Sequence, residues 1–350
     1  NVYKVQPLLL VQLMVRQSSS QELKQVVSAM PDLLVQWVNA GIRAHQLSHI
    51  LTALSDAITV RLIELGIEQF GEPPVPFCWL GFGSQGRKEQ LLGADQDNGL
   101  LISDDMKPEH KDWFLRLSNY VCDGLNDCGY VYCPGNIMAT NEQWRQPLGH
   151  WLSTVDRWMR TPTEKAVMEV SIFFDLRCVY GDLSLMQSLQ QHMLKNSQSN
   201  SIFLAALAQN VLSSPPPMGI FRRFVVEQNG EHEKELNLKL RGVIPIIDII
   251  RLHALANGLT AVNTMERLQA LVECKAMTIV DSRNLQDALS VLMQFRVNHQ
   301  AEQIVEGKTP SNYIHPSELS KIMAKQLKDA FGIVKDAQQG VKLKYRQGIN

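Results

Sequence analysis

Residues 83–97 contain residue types at a spacing that suits a chemical reaction. Gly83 and Ser84 form a Gly-Ser pair, and Asp95 and Asp97 follow with a single residue between them. Backbone N–H groups in a glycine turn can hold phosphate oxygens. Two carboxylates supply hard oxygen ligands for Mg²⁺, which binds carboxylates together with substrate phosphates. The combination predicts phosphate chemistry at a divalent metal ion.

A second pattern overlaps the first. Residues 81–86 read G-x-G-x-x-G, the dinucleotide-binding fingerprint. That fingerprint needs a long helix after the turn and an acidic residue about 20 positions on, within a βαβ unit of about 30 residues. Here Gly93 interrupts the short stretch before Asp95, and an apolar strand begins just after Asp97. A crossover does not fit, so we favour the metal-dependent interpretation; the alternative for the aspartates alone is that they cap a turn.

Two predicted strands position these groups. Phe77–Gly81 is apolar and leads into the glycine turn, and Gly99–Ser103 is apolar and follows the aspartates. Because residues i and i+2 of a strand project to the same face, Asp95 and Asp97 should converge on one point. The pattern predicts further strands at Tyr130–Cys133, Ile137–Ala139 and Asp175–Tyr180, and helices at Pro108–Asn126 and Thr163–Phe174.

Helical patterns lie on both sides of this strand-rich part. Residues 20–70 carry apolar side chains at helical spacing, and the prolines of residues 71–76 end that pattern. The remaining expected helix starts are Pro245, Asn263 or Thr264, Asp281 or Ser282, and Pro316. We predict an α+β fold with an N-terminal helical segment (1–75), a small mixed-sheet domain (76–180) and a C-terminal helical bundle (181–350).

The composition of the chain disfavours several classes of function. The chain has 350 residues and 45% apolar residues, enough for two or three domains with cores. Its 34 basic and 35 acidic residues nearly cancel, which does not favour a nucleic-acid or membrane partner. No apolar run approaches the ~20 residues that a bilayer span needs. The six cysteines show no zinc-type spacing, so we expect reduced thiols in the cytoplasm.

The motifs resemble a known superfamily. The segment Gly83-Ser-Gln-Gly-Arg-Lys-Glu-Gln with Asp95-Gln-Asp-Asn98 resembles the DNA polymerase β-like nucleotidyltransferases. Its Gly-Arg-x-Glu and Asp-Gln-Asp-Asn forms are similar to the DUF294-type family, which occurs with CBS and cyclic-nucleotide-binding domains in bacterial signalling proteins and is related to the PII-protein uridylyltransferase. Residues 173–182, 240–255 and 263–268 resemble that family's C-terminal substrate-binding domain.

The resemblance implies a polymerase β-like nucleotidyltransferase domain at residues 76–180 and a substrate-binding domain at residues 181–350. It implies that Gly83 and Ser84 hold the β- and γ-phosphates of an NTP, and that the two aspartates hold Mg²⁺ or Mn²⁺. A hydroxyl of an acceptor, such as a tyrosine of a PII-like regulatory protein, then attacks the α-phosphate. Transfer to a small molecule of the aminoglycoside type, or nucleotide sensing or partner docking without turnover, are the alternatives.

The resemblance has limits. The uridylyltransferase continues into a phosphohydrolase domain with a His-Asp pair, and this sequence contains no His-Asp dipeptide. A uridylyl-removing activity is therefore not implied. The chain starts without Met, directly before an apolar stretch, so we expect a fragment of a longer protein with any CBS or cyclic-nucleotide-binding domains upstream.

Several charged residues near the motif have alternative roles. Arg87 and Lys88 could add positive charge to the triphosphate, or lie solvated at the surface. Glu89 could pair with Arg87 and orient the turn. The superfamily usually supplies a third carboxylate, as a metal ligand or as the base for the acceptor hydroxyl, and Asp175 is the best-placed candidate. Its alternative is a helix cap or an ion pair with Arg177.

Other polar and aromatic residues allow a simpler interpretation. Arg241, Asp248 and Arg251 lie in an otherwise apolar helical region and could face the nucleotide. A buried ion pair between Asp248 and one of the arginines explains them equally well. Trp151 and Trp158 fit packing in the core or between domains.

Overall fold

The computed structural model describes residues 7–219, 223–228 and 230–345. The chain divides into two compact units, Asn1–Asp156 with Ile172–Met193, and Arg157–Ser171 with Leu194–Asn350. None of the helices in the described ranges is both long enough and apolar enough to cross a membrane.

The first unit contains a four-stranded mixed sheet. Its strands are β1 (Phe77–Gly81), β2 (Asn98–Ile102), β3 (Arg145–Pro147) and β4 (Arg177–Gly181), in the order β3-β2-β1-β4. β1 pairs antiparallel with β2 and β4, and β3 pairs parallel with β2. Every residue of β1 and β2 is buried, which explains their apolar runs without alternation. The predicted α+β fold with a small mixed sheet is confirmed.

Helices precede, connect and follow the strands of this sheet along the chain, and the later ones continue into the second unit. They are α1 (Pro7–Val15), α2 (Ser20–Val27), α3 (Met30–Asn39), α4 (Ala44–Phe70), α5 (Gly83–Gly86), α6 (Lys111–Asp127), α7 (Leu148–Arg160), α8 (Glu164–Phe173) and α9 (Leu183–Gln198). In the first unit, Trp151 is fully buried, stacks on Phe173 with ring centroids 4.8 Å apart, and donates its indole N–H to the Leu100 carbonyl. Its predicted packing role is confirmed.

The segment after α6 differs from the prediction. The strands expected at Tyr130–Cys133 and Ile137–Ala139 are wrong, because this described segment is irregular. Isolated hydrogen bonds rather than a regular ladder hold it: backbone amides of Gln96 and Asn98 donate to it, the Gln96 side chain donates to one of its carbonyls over 2.8 Å, and the Asn98 side chain accepts one of its amides over 2.8 Å. The strand beside β2 is instead Arg145–Pro147, too short to show an alternating pattern.

The described residues of the second unit are mainly helical, with one short ladder and an isolated bridge between Met218 and Phe224. Its elements after α9 are α10 (Ser201–Ser213), β5 (Leu236–Asn237), α11 (Ile244–Ala256), α12 (Thr264–Glu273), α13 (Ile279–Val305), β6 (Tyr313–Ile314) and α14 (Lys321–Tyr345). A π-helical turn, Lys239–Val243, precedes α11, and β5 pairs antiparallel with β6. The predicted helical C-terminal region is confirmed.

Helix caps in this unit show how local the sequence signals are. Asn263 accepts the amides of Met265 and Glu266, as predicted for α12. The prediction for α13 is wrong: Thr278 is its cap and accepts the amide of Asp281 over 3.0 Å. The start of the last helix is also misplaced, because Pro316 opens a short 3-10 turn and α14 begins at Lys321.

Candidate functional site

The Gly-Ser turn joins β1 to α5 and lies against one of the aspartates. Gly83 has a φ of +53°, in the left-handed region that glycine adopts without strain. A β-carbon placed on Gly83 would lie 2.9 Å from Asp97 Oδ2. Glycine therefore permits both the turn and the close approach of the Asp97 carboxylate. The amides of Gly83 and Ser84 stand at the start of α5, where an amide has no partner within the helix.

The far end of α5 is held by β4 and α4. A β-carbon on Gly86 would lie 1.7 Å from the backbone carbonyl oxygen of Asp175, so only glycine fits there. Arg177 of β4 donates to the carbonyls of Gln85 over 3.0 Å and Gly86 over 3.3 Å. It also forms an ion pair with Asp56 of α4 at 2.8 Å. These contacts fix the orientation of the turn.

Asp95 and Asp97 converge, together with a cysteine from the irregular segment. One donor atom each from Asp95, Asp97 and Cys133 lies within 4.8 Å of the others. Both carboxylates are half-buried, whereas Gln96 between them is buried and donates to backbone carbonyls. The alternation predicted for this segment thus places the two carboxylates on one side, although β2 begins only at Asn98.

Cys133 is the third donor of this cluster. Its Sγ lies 3.4 Å from Asp97 Oδ1, to which it donates a hydrogen bond. Burial, followed by the negative charges of Asp97 and Asp95, raises the pKa of the Cys133 thiol to about 11. The thiol is therefore protonated at neutral pH without a cation, and a bound cation would replace that proton.

Arg87 is buried between two carboxylates. Its Nε lies 2.7 Å from Glu89 Oε2 and its Nη1 lies 2.6 Å from Asp175 Oδ2. Arg87 is 5% exposed and Asp175 is fully buried. A buried guanidinium of this kind needs such partners, because desolvation of an unpaired charge is costly. The arginine binds α5 to the residues that lead into β4.

The loop between α5 and β2 is anchored on α4. Ser55 Oγ donates to the side-chain oxygen Oε1 of Gln90 over 2.5 Å, and the backbone amide of Gln90 donates to Thr52 Oγ1 over 3.2 Å. All three side chains are buried, so these hydrogen bonds form away from competing water. The loop that carries the aspartates is thus supported at its start by a rigid helix.

Two family models match parts of this chain. The model described as "Putative nucleotidyltransferase DUF294" matches residues 9–165. The model described as "Putative nucleotidyltransferase substrate binding domain" matches residues 201–345, so the two cover most of the chain. The chain belongs to the DUF294 family. A comparison with curated proteins gives no match. The DUF294 match includes the Gly-Ser turn and the cluster, and Asp175 lies between the two matches.

The structure separates the predicted site residues of this DUF294-family chain into two groups. Gly83, Asp95 and Asp97 come together, with Ser84 half-buried at the start of α5. Asp175 is not part of this group: among the described residues, the set that could hold a metal ion does not include its carboxylate. Its partner is Arg87 rather than the predicted alternative Arg177, which pairs with Asp56.

The two basic residues of the turn differ in environment. The predicted ion pair of Glu89 with Arg87 is confirmed. The Arg87 guanidinium forms a second ion pair with Asp175. Lys88 is exposed and has a φ of +60°, at the end of the short helix. Of the two cations predicted to meet the triphosphate, Lys88 is the one whose charge is accessible to a ligand.

Sequence reasoning missed Cys133 and the support from α4. Cys133 follows Asp97 by 36 positions, and no ligand spacing connects the two. Thr52 and Ser55 lie in an apolar helical stripe, where small hydroxyl residues usually return their hydrogen bonds to the helix backbone. Both also do so here, which hides their contacts with Gln90 from any local pattern.

Polar residues of α11 lie in the second unit. Asp248 Oδ1 and Arg251 Nη1 are 2.5 Å apart, so the predicted alternative of an ion pair is confirmed. His253 lines a cavity of about 330 Å³, and its Nδ1 lies 2.9 Å from the Tyr345 hydroxyl. Burial, with a smaller effect of the Lys344 charge, lowers the pKa of His253 to about 4. The imidazole is therefore neutral at physiological pH.

Proposed function

We propose that this chain is an Mg²⁺-dependent nucleotidyltransferase that moves a nucleoside monophosphate from an NTP to a hydroxyl. The observation that carries the proposal is the contact between the Gly83 turn and the Asp97 carboxylate. It brings a glycine turn and a pair of carboxylates to one point, the arrangement that holding phosphate and metal together requires. Membership of a family of nucleotidyltransferases supports the same activity.

The residues present fit a divalent cation. Asp95 and Asp97 offer oxygen donors, both half-buried and thus reachable by a ligand. They would hold Mg²⁺, or Mn²⁺, which neutralises the charge of the transferring phosphates. The amides of Gly83 and Ser84 would hold the β- and γ-phosphates, as amides at a glycine turn do. Lys88, exposed beside them, would add positive charge.

Positioning is the main task of the remaining residues. In phosphoryl transfer the protein contributes mostly orientation and charge stabilisation. Arg87 and Arg177 hold α5 against β4 and α4, so the turn is preorganised before a ligand binds. The acceptor oxygen forms a bond to the α-phosphorus, the bond to the bridging oxygen breaks, and pyrophosphate leaves. The hydroxyl proton passes to solvent.

We further propose that the acceptor is a hydroxyl side chain of a PII-like regulatory protein. The relation of the family to the PII-protein uridylyltransferase supports this acceptor and a role in cytoplasmic signalling. The match to a substrate-binding domain supports residues 201–345 as the part that receives the acceptor. The two intact carboxylates favour catalysis over nucleotide sensing alone.

The test is magnesium-dependent release of pyrophosphate from each NTP, with and without a PII-like protein. Asp95→Asn and Asp97→Asn should each lower turnover by at least about 100-fold, because a metal ion supplies several kcal/mol of transition-state stabilisation. Asp112→Asn, an exposed aspartate of α6, is the matched control and should retain activity. If NTP binding and turnover do not respond to Asp95→Asn or Asp97→Asn, the proposal is wrong.

A further inference from the structure

The donor set of the cluster is unusual for a magnesium site. Mg²⁺ takes oxygen ligands, whereas a thiolate selects softer cations such as Zn²⁺. Cys133 Sγ lies 3.4 Å from Asp97 Oδ1 and within 4.8 Å of a carboxylate oxygen of Asp95. The cysteine is 9% exposed, so the cluster includes a largely buried residue and is not made only of surface groups.

We propose that Asp95, Asp97 and Cys133 form a carboxylate–thiolate site for a thiophilic divalent cation, with Zn²⁺ bound more tightly than Mg²⁺. Three protein ligands leave one position of a tetrahedral zinc ion for water or a phosphate oxygen. The site shares its carboxylates with the proposed magnesium site. Zn²⁺ therefore competes with Mg²⁺ and inhibits turnover. This inhibition rests on the proposed function, but the binding of Zn²⁺ to the site is independent of it.

The distances fit this coordination. Zn–S bonds of about 2.3 Å and Zn–O bonds of about 2.1 Å at tetrahedral angles place sulfur and oxygen about 3.6 Å apart. The distance between Cys133 Sγ and Asp97 Oδ1 is 3.4 Å, close to that edge before any cation binds. The other two pairs of donor atoms already lie within 4.8 Å of each other, so a small change of the Asp95 side chain is enough to complete the coordination.

The backbone holds Cys133 in place. The amide of Asn136 donates to the Cys133 carbonyl over 2.9 Å, which closes a tight turn. The amide of Asn98, the first residue of β2, donates to the Ile137 carbonyl over 3.1 Å. The turn is thus bound to the strand that follows Asp97, and the thiol is preorganised beside that carboxylate.

Binding exchanges a proton for the cation. The thiol of Cys133 releases its proton to solvent, and the sulfur forms a coordinate bond to the metal. Asp97 Oδ1, which accepts the thiol hydrogen bond in the metal-free protein, becomes the neighbouring ligand. No electron is transferred, so the step needs no oxidant or reductant.

Cadmium titration of the full chain, purified metal-free with reduced thiols, tests the site. Cd²⁺ bound to a thiolate gives an ultraviolet charge-transfer absorption. Wild type and Cys128→Ser, a buried cysteine outside the cluster, should show the same band at one equivalent, and Cys133→Ser should lack it. Zn²⁺ should displace the Cd²⁺ at far lower concentration than Mg²⁺.

Affinity for Zn²⁺ gives the second readout. Cys133→Ser should weaken it by at least about 100-fold, since losing even an outer-shell partner costs 10–100-fold. Asp95→Asn, which keeps the thiol, should also weaken the charge-transfer complex. If circular dichroism shows that Cys133→Ser is unfolded, Asp95→Asn still tests the proposal.

The two hypotheses fail separately. An unchanged band in Cys133→Ser, or Zn²⁺ binding no tighter than Mg²⁺ in wild type, overturns the thiolate site. It leaves the proposed transfer standing if Mg²⁺-dependent pyrophosphate release still requires Asp95 and Asp97. A band that requires Cys133 in a chain that turns over no NTP supports the thiolate site and refutes only the enzymatic proposal.

Discussion

Replacing Arg87 by Met tests whether this arginine positions the turn or binds the substrate. The substitution keeps an unbranched side chain and removes the guanidinium from the fully buried Asp175 and the largely buried Glu89. Removing one partner of a buried ion pair costs about 3–5 kcal/mol, because the remaining charge is desolvated without compensation. We expect a loss of that size in the stability of the first unit. Arg87→Met with Asp175→Leu should recover part of it, since apolar replacement of both partners is often neutral.

Urea unfolding followed by tryptophan fluorescence measures this loss. Five of the six tryptophans lie in the first unit, so the signal reports mainly on that unit. The two units need not unfold together, and the transition of the first is compared between variants. Lys111→Met is the control, because its ion pair with Glu142 is exposed and should be worth less than about 1 kcal/mol.

Unfolding and NTP binding of Arg87→Met together distinguish a positioning role from a substrate-binding role. If Arg87→Met unfolds at the wild-type urea concentration but binds NTP more weakly, the arginine contacts the triphosphate and the positioning role is refuted. If it unfolds earlier while the folded fraction binds NTP with wild-type affinity, the positioning role is supported.

Three further outcomes are expected. Gly86→Ala should destabilise the first unit by about 3 kcal/mol, the upper range of overpacking, because its β-carbon would meet the Asp175 carbonyl at 1.7 Å. Gly340→Ala in α14, with open space around it, should not, and equal urea midpoints for the two variants would contradict the described contact. His253, with a pKa of about 4 against 6.5 unfolded, takes up protons mainly in the unfolded state between those values. The stability of the second unit should therefore fall as pH drops from about 6.5 to about 4, by roughly 2 kcal/mol at pH 5, and His253→Gln should remove that dependence in urea unfolding followed by circular dichroism. Finally, a chelator should abolish pyrophosphate release, and Mg²⁺ or Mn²⁺ should restore it; turnover that survives complete chelation would exclude a required cation.

The sequence predicts those parts of the site that depend on near neighbours. The strand, the Gly83 turn and the two aspartates follow from residue type and spacing within one short segment. The same holds for the cap at Asn263, whose partners lie two and three residues away. The composition of the irregular segment after α6 suits strands, but its hydrogen bonds go singly to backbone and side-chain groups of Gln96 and Asn98 and form no regular ladder.

Contacts between distant residues could not be predicted in this way. Arg87 and Asp175 are 88 residues apart in the chain, and a salt bridge with the near neighbour Arg177 was the natural local alternative. Cys133 joins the aspartates only because its turn is bound to β2, and nothing in the residues around it indicates that partner. The charge and type of a side chain do not identify its partner when only the folded structure brings the two residues together.

The contacts of Arg87 with Asp175 and of Gln85 with Arg177 also bear on how the chain folds. The residues that hold α5 in place lie 88 and 92 positions further along, so the turn is completed only after a long stretch has been synthesised. Closing such a loop carries an entropic cost before its contacts form, which makes the turn a late step in folding. The DUF294 match ends at residue 165, before Asp175 and β4. A fragment cut at that boundary would leave Arg87 without the Asp175 carboxylate and β1 as an open sheet edge, prone to pair with other chains. The smallest autonomous folding unit is therefore longer than the segment that the DUF294 model matches, and it must extend through β4.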